Sequence, residues 1–324
     1  MKNVSIIILL FVLTILAGCG SVDNQLLQNR LEKVTHDLFE FGKPQLRCHA
    51  MEIHALIDNV QSRKDILAGL SDPIPAVRMA AAIAAGDSKD TATMARLDEM
   101  KVDKNPKVRL AVGYALERMG DSRFEKWFDS ALLSDNSEWA CTACMLIGKL
   151  GNEDHRAGSR DKLWAVLKKF NQSPAVKLQA AEALARLGDK TIMEKLSSYA
   201  VSGFADDRMV VIQALKLLGT PQALGQLDAL CTDPQIEVQL VAISAYAVYN
   251  NSKYLSIVRK AVKHNSVDGQ GATERVRALA LIALGQIGTA ADKKTLYKAM
   301  DSEEPIIRAA AAFGAIKYLK RPLH

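Results

Sequence analysis

Residues 71–90, SDPIPAVRMAAAIAAGDSKD, and residues 102–121, VDKNPKVRLAVGYALERMGD, are one pattern written twice, 31 places apart. In each, an aspartate (Asp72, Asp103) is followed five places later by an apolar residue and then an arginine, Val77-Arg78 and Val108-Arg109. With that apolar residue as the anchor, the register runs through Leu46, Val77, Val108, Trp139, Val176, Asp207, Val238, Val276 and Ile307. The spacings are 31, 31, 31, 37, 31, 31, 38 and 31, so nine units share one beat, with short insertions near 153–160 and 264–271. A fixed period in the 20–50 residue range is the signature of a repeat architecture.

Each column of the register has a physical task. Four places after the anchor stand Ala50, Ala81, Ala143, Ala180, Ala242, Ala280 and Ala311, with Val112 and Val211 completing the set. Seven places after it stand Ala84, Ala115, Ala183, Ala214, Ala245, Ala283 and Gly314. Small residues at i and i+3 share a helix face and let a second helix approach closely. Twelve places on, Gly120, Gly151, Gly188, Gly219, Asn250 and Gly288 suit the left-handed residue that ends a helix. The next column, including Asn59, Asp90, Asp121, Asp189, Thr220 and Thr289, supplies side chains that cap the following helix. Each unit therefore reads as an αα-hairpin.

These columns resemble HEAT repeats of the short type named after the phycobilisome lyases. The resemblance implies an all-α fold, a right-handed αα-superhelix (HEAT-like solenoid) of about nine helix pairs over residues 24–324. It also implies an aspartate in each intra-unit turn and an arginine six residues later. Asp72 with Arg78 and Asp103 with Arg109 fit; Asn171 with Lys177 and Ser302 with Arg308 are weaker; Asp233 faces Gln239, so the polar ladder is expected to be interrupted. At roughly 8–10 Å per pair, nine pairs make a curved rod about 80 Å long whose end units need capping. A helix from Asn24, with Leu27, Leu31, Val34 and Leu38 on one stripe, starts it; the basic Lys317, Lys320 and Arg321 finish it.

The N-terminus reads as an address. Lys2 precedes a run from Val4 to Ala17 that carries no charge. Fourteen residues are too few for a membrane span, which needs about 20, and fit the core of a secretory signal, which takes about 7–15. Leu16-Ala17-Gly18-Cys19 resembles the lipobox of bacterial lipoproteins. The resemblance implies a signal peptide at 1–18, cleavage before Cys19, acylation of Cys19 and a lipidated tether at 19–23. Gly20 in place of aspartate points, in a two-membrane organism, to the outer membrane. The expected location is the cell envelope, anchored through the N-terminal lipid.

The chain is 49% hydrophobic and 24% charged, enough to build a core, and its excess of +6 is too dispersed to indicate nucleic acid. It has no glycine-rich phosphate loop, nucleophile elbow or His-Glu-x-x-His. Deoxyhypusine hydroxylases, a HEAT-like family, hold two irons through His-Glu pairs, and no histidine here precedes a glutamate. His49 and Glu52 share a face of one helix, with His54 on another, and read as a surface polar cluster or a two-ligand site. Cys141 and Cys144 form a Cys-x-x-Cys whose columns are elsewhere filled mostly by Met, Leu, Ile and Ala, with Cys48 in the first, so both read as packing residues. No catalytic residue, metal site or cofactor is expected.

The working surface is expected on the concave side, three, six and ten places after each anchor. In the later units it presents an aliphatic strip: Val210, Leu217, Val241, Val248, Leu279, Ile282 and Phe313. Exposed, the strip suits a peptide or helix of an unknown envelope protein; tight curvature would bury it instead. The expected role is a lipid-anchored scaffold or adaptor, with an exported enzyme or a ligand- or metal-binding module as the alternative. A Cys19→Ala chain is expected to lose metabolic labelling with fatty acid and its retention in the membrane fraction; persistent labelling would refute the anchor.

Overall fold

The computed structural model describes residues 22–151, 158–249, 253–263 and 272–321. The signal peptide expected at 1–18, Cys19 and parts of both insertions lie outside them. The described residues form eighteen helices, arranged as nine antiparallel pairs: α1 (Asn24–Phe41) with α2 (Pro44–Ile57), α3 (Val60–Gly69) with α4 (Pro75–Ser88), α5 (Met94–Glu99) with α6 (Pro106–Arg118), α7 (Glu125–Leu132) with α8 (Ser137–Leu150), α9 (Ser159–Lys168) with α10 (Pro174–Arg186), α11 (Met193–Ala200) with α12 (Ala205–Leu218), α13 (Pro221–Leu230) with α14 (Ile236–Tyr246), α15 (Leu255–Val262) with α16 (Ala272–Ile287), and α17 (Lys293–Ala299) with α18 (Pro305–Leu319). None of these helices is long and apolar enough to cross a membrane.

The helix ends follow the register. Pro44, Pro75, Pro106, Pro174 and Pro305 open the second helices of their pairs, where the missing N–H is not needed. In the turns between pairs Gly120, Gly151, Gly188 and Gly219 take the expected positive φ, of 101°, 80°, 73° and 57°, whereas Gly288 does not and Asn250 lies outside the described residues. In the first two units Asp58 and Lys89 occupy this same column and adopt φ of 51° and 50°. The register imposes the conformation even where the side chain disfavours it. Directly after, Asn59, Asp90, Asp189 and Thr220 accept backbone N–H bonds from the first turn that follows.

The polar ladder runs from each unit to the next. Arg47 donates to both oxygens of Asp72, Arg78 to those of Asp103, and Arg208 to those of Asp233, each at 2.8–3.0 Å and each reaching the next unit's turn. Within its own unit the arginine donates to the backbone carbonyl six residues earlier, as Arg78 does to Asp72 and Arg208 to Ser202. Bidentate geometry and a second acceptor satisfy a guanidinium that is nearly buried, 9% exposed at Arg208. Burial alone would raise the Asp103 carboxyl; the contacts from Arg78 and the Asn105 backbone overcome it and hold the group below the ordinary range.

The even-numbered helices stack in sequence, α2 on α4 through to α16 on α18, and form the inner layer. The small-residue columns are their seam: Ala50, Ala81, Ala115, Ala143, Ala180, Ala183, Ala214, Ala242, Ala280, Ala283 and Ala311 are wholly inaccessible. The seam is tightest between α16 and α18, where a Cβ on Gly285 would overlap the backbone of Gly314.

The stack is not an open rod. α18 packs on both α1 and α2, α17 touches α1, and Arg30 on α1 pairs with Asp301 between α17 and α18. The roughly 80 Å of stacking, at 8–10 Å per pair, is a circumference. The end units cover each other instead of needing polar caps: Leu27, Leu31, Val34 and Leu38 of α1 are at most 4% exposed. Full burial of such side chains stabilises by about 1.5–3 kcal/mol each.

Two glycines give a paired test. Gly285→Ala is expected to lower unfolding stability by about 1–3 kcal/mol, since the backbones must part. Gly225→Ala, in exposed α13 with nothing near the added carbon, is expected to raise it by about 0.5–1 kcal/mol. Urea titration of both checks this; equal effects would contradict a seam set by backbone contact.

Candidate functional site

Closing the ring joins residues that the linear repeat holds more than 200 positions apart. α2 of the first unit, α16 of the eighth and α18 of the ninth enclose a cavity of about 560 Å³ on the inner face. Its floor is apolar: Ile53 from α2, Leu279 and Ile282 from α16, and Ile306, Ala310 and Phe313 from α18. Its rim is charged, with His49 and Glu52 on one side and Glu274 and Arg275 on the other.

Both candidate sets from the sequence meet here. His49 and Glu52 are one helical turn apart, with Nδ1 3.6 Å from the carboxylate, and both are largely exposed. Hydrogen bonding to Glu52 outweighs desolvation, so the His49 imidazole holds its proton above the ordinary value of 6.5. His54 points the other way, is 1% exposed, and belongs to the packing between α1, α2 and α3. Leu279, Ile282 and Phe313 line the cavity, half-buried. Val210 and Val241 are half-buried against the core farther along the inner layer, while Leu217 and Val248 are exposed and 41% and 59% accessible. The aliphatic strip is therefore split: one part forms the cavity floor, another is absorbed into packing, and two residues face solvent.

Ile53, Ile306, Glu274 and Arg275 were not legible as site residues. Glu274 and Arg275 precede Leu279 by about one helical turn, but only contact between the first and last units turns them toward His49 and Glu52. Around the same lumen, Arg275 reaches Asp206 at 3.5 Å, an exposed pair that contributes little. Lys149 bonds Asp87 at 2.8 Å across two units, and Tyr114 donates to the same Asp87. Lys317 lies 5.0 Å from the Phe313 ring, and burial, then the charge of Lys216 and of Lys320, lowers its proton affinity. The ammonium groups of Lys317 and Lys216 are both half-buried, and burial lowers the proton affinity of each.

The cysteines behave as packing residues. Cys144 is inaccessible and its thiol is pushed up to about 12 by burial; Cys141, half-buried, is also raised by burial. Among the described residues Cys48, Cys141, Cys144 and Cys231 are all free thiols.

A family profile described as HEAT repeats matches residues 38–117, 160–247 and 227–315. Among solved structures, human deoxyhypusine hydroxylase in complex with glycerol is similar over 92% of this chain and 98% of its own, at 17% identity and a TM-score of 0.36. No curated protein matches the chain in sequence.

The rim is open to a direct measurement. By NMR, His49 is expected to titrate above 6.5, and Glu52→Gln to return it toward that value. The stabilisation from this pair is present below 6.5 and fades as pH rises through the raised value; a His49 midpoint unmoved by Glu52→Gln would remove the pair.

Proposed function

Because the chain belongs to the HEAT-repeat family, whose solenoids generally act as protein-interaction scaffolds, we propose that it is a lipid-anchored scaffold of the cell envelope. Its lumenal cavity takes the apolar side chains of a partner segment. The cavity between α2, α16 and α18 carries this reading. It is concave and apolar-floored, with charged groups confined to its rim, the anatomy of an anchor pocket in a protein interface. The neighbouring Lys216 and Lys317 favour a segment that places a carboxylate beside its apolar residues. The anchor rests on Lys2, the uncharged run 4–17 and the Leu16-Ala17-Gly18-Cys19 box. With only residues 20–23 between lipid and α1, the ring lies close to the bilayer surface.

A second reading is favoured by one quantity. About 560 Å³ lies inside the 300–1,000 Å³ range of small-molecule sites, so the same cavity fits an exported ligand-binding module.

Leu279→Glu combined with Ile282→Glu places two carboxylates on the floor while leaving the helix seam, built from Ala280, Ala283 and Gly285, intact. The double variant is expected to keep its helical circular dichroism and to lose, by at least tenfold, an envelope protein that copurifies with the full-length chain. A small molecule in native mass spectrometry, present in wild type and absent from the variant, selects the second reading. A protein partner retained by the variant overturns the cavity as its docking site.

A further inference from the structure

A second polar cluster lies where α1, α2 and α3 meet. His36 and Glu40 stand four residues apart on α1 and so share a face. Asp65 projects from α3 and is 3% exposed. One ligand atom from each of His36, Glu40 and Asp65 lies within 4.8 Å of the other two. His36 Nδ1 is 2.9 Å from Asp65 Oδ2, while Gln61 donates to Asp65 Oδ1 at 2.8 Å. Behind them sits His54, with its Nε2 3.1 Å from the same Asp65 Oδ2. His54 is 1% exposed, and neither of its ring nitrogens makes a well-aligned hydrogen bond.

Simple core packing does not account for this set. The buried His54 has no partner at Nδ1, and its Nε2 meets the buried Asp65 carboxylate off-axis, a costly arrangement for buried polar atoms. Two imidazoles converge on a single oxygen of Asp65, and a second carboxylate, that of Glu40, stands open to solvent. The donor set is nitrogen and oxygen, suited to a divalent transition cation.

We propose that His36, Glu40 and Asp65 bind a divalent cation of the Zn²⁺ class, with His54 as the residue that positions the Asp65 carboxylate. Ligand atoms around tetrahedral zinc, at about 2.0–2.1 Å from the metal, sit about 3.3 Å apart. The three candidate ligand atoms lie within 4.8 Å of one another, and Glu40 is exposed, which leaves its carboxylate room to turn inward. Three protein ligands leave a fourth position toward solvent, for water or for a group from a partner. His54 then does what ligand-orienting neighbours do in metal sites, fixing one carboxylate oxygen from behind.

The location gives the cation a consequence. α1 is held between α2 and α3 on one flank and the last unit on the other, where Arg30 pairs with Asp301. A cation joining α1 to α3 therefore strengthens the attachment on which ring closure depends.

The test uses the untagged full-length chain in detergent, stripped with chelator and titrated with Zn²⁺ by calorimetry. One Zn²⁺ per chain is expected, with Kd of micromolar or tighter and a rise in Tm on binding. Glu40→Gln is expected to weaken binding at least tenfold without changing the metal-free Tm, since Glu40 is exposed. Asp65→Asn is expected to abolish binding; should that variant fold poorly, His36→Gln at the half-exposed position supplies the same reading. His49→Gln, in the lumen, is expected to leave binding unchanged. Absence of stoichiometric binding, or binding that survives Glu40→Gln and His36→Gln, overturns the proposal, as does loss of binding in His49→Gln.

Discussion

Close approach of the inner helices is the constraint from which the rest of the structure follows. Alanine and glycine in two columns remove the side-chain bulk that would hold α2 through α18 apart, and at Gly285 and Gly314 even one added carbon has no room. Such contact gains dispersion from many short atom pairs while ordering few rotatable bonds, because alanine and glycine have no side-chain torsions to lose. It also draws the inner layer in more tightly than the outer one. An inner layer with small seams and an outer layer with larger side chains must curve, and nine units of this curvature complete a turn.

The arginine ladder works with that seam. Each of Arg47, Arg78 and Arg208 spans from its own turn to the aspartate of the next. Pairs this buried gain little net stability over a well-packed apolar contact, since desolvation offsets the attraction. Their value is geometric: a planar fork that grips two oxygens and a backbone carbonyl sets the offset between adjacent units. Where the aspartate is missing, as after Arg109, the arginine keeps only its carbonyl contact, and the seam alone defines the angle.

Closure also explains why the inner face is chemically uneven. His49 and Glu52 look like an isolated surface cluster on α2, and Leu279, Ile282 and Phe313 look like a stripe on distant helices. Only their meeting across the junction of the ends gives an apolar floor with a charged rim. The half-buried state of Val210 and Val241, against the exposure of Leu217 and Val248, follows from position: residues near the middle of an inner helix are screened by its neighbours, and those near its C-terminal end project beyond them. Likewise His54 falls among the buried groups because α1 folds back over α2, which its spacing from His49 does not reveal.

The amino-acid sequence by itself determined the unit, its length, the places where helices begin and stop, and which faces pack. These are local matters: proline at a first turn, a capping side chain, a left-handed residue, a small residue every third or fourth position. The left-handed turns at Asp58 and Lys89 share that register but carry no glycine, and the sequence pattern did not mark them. Tertiary structure alone decided that the ends meet, that a cavity forms where they do, and that His36, Glu40 and Asp65 converge on one point. Closure depends on the sum of small rotations at eight junctions, each a fraction of a side chain's width. No local pattern encodes such a sum, although every term in it is set locally.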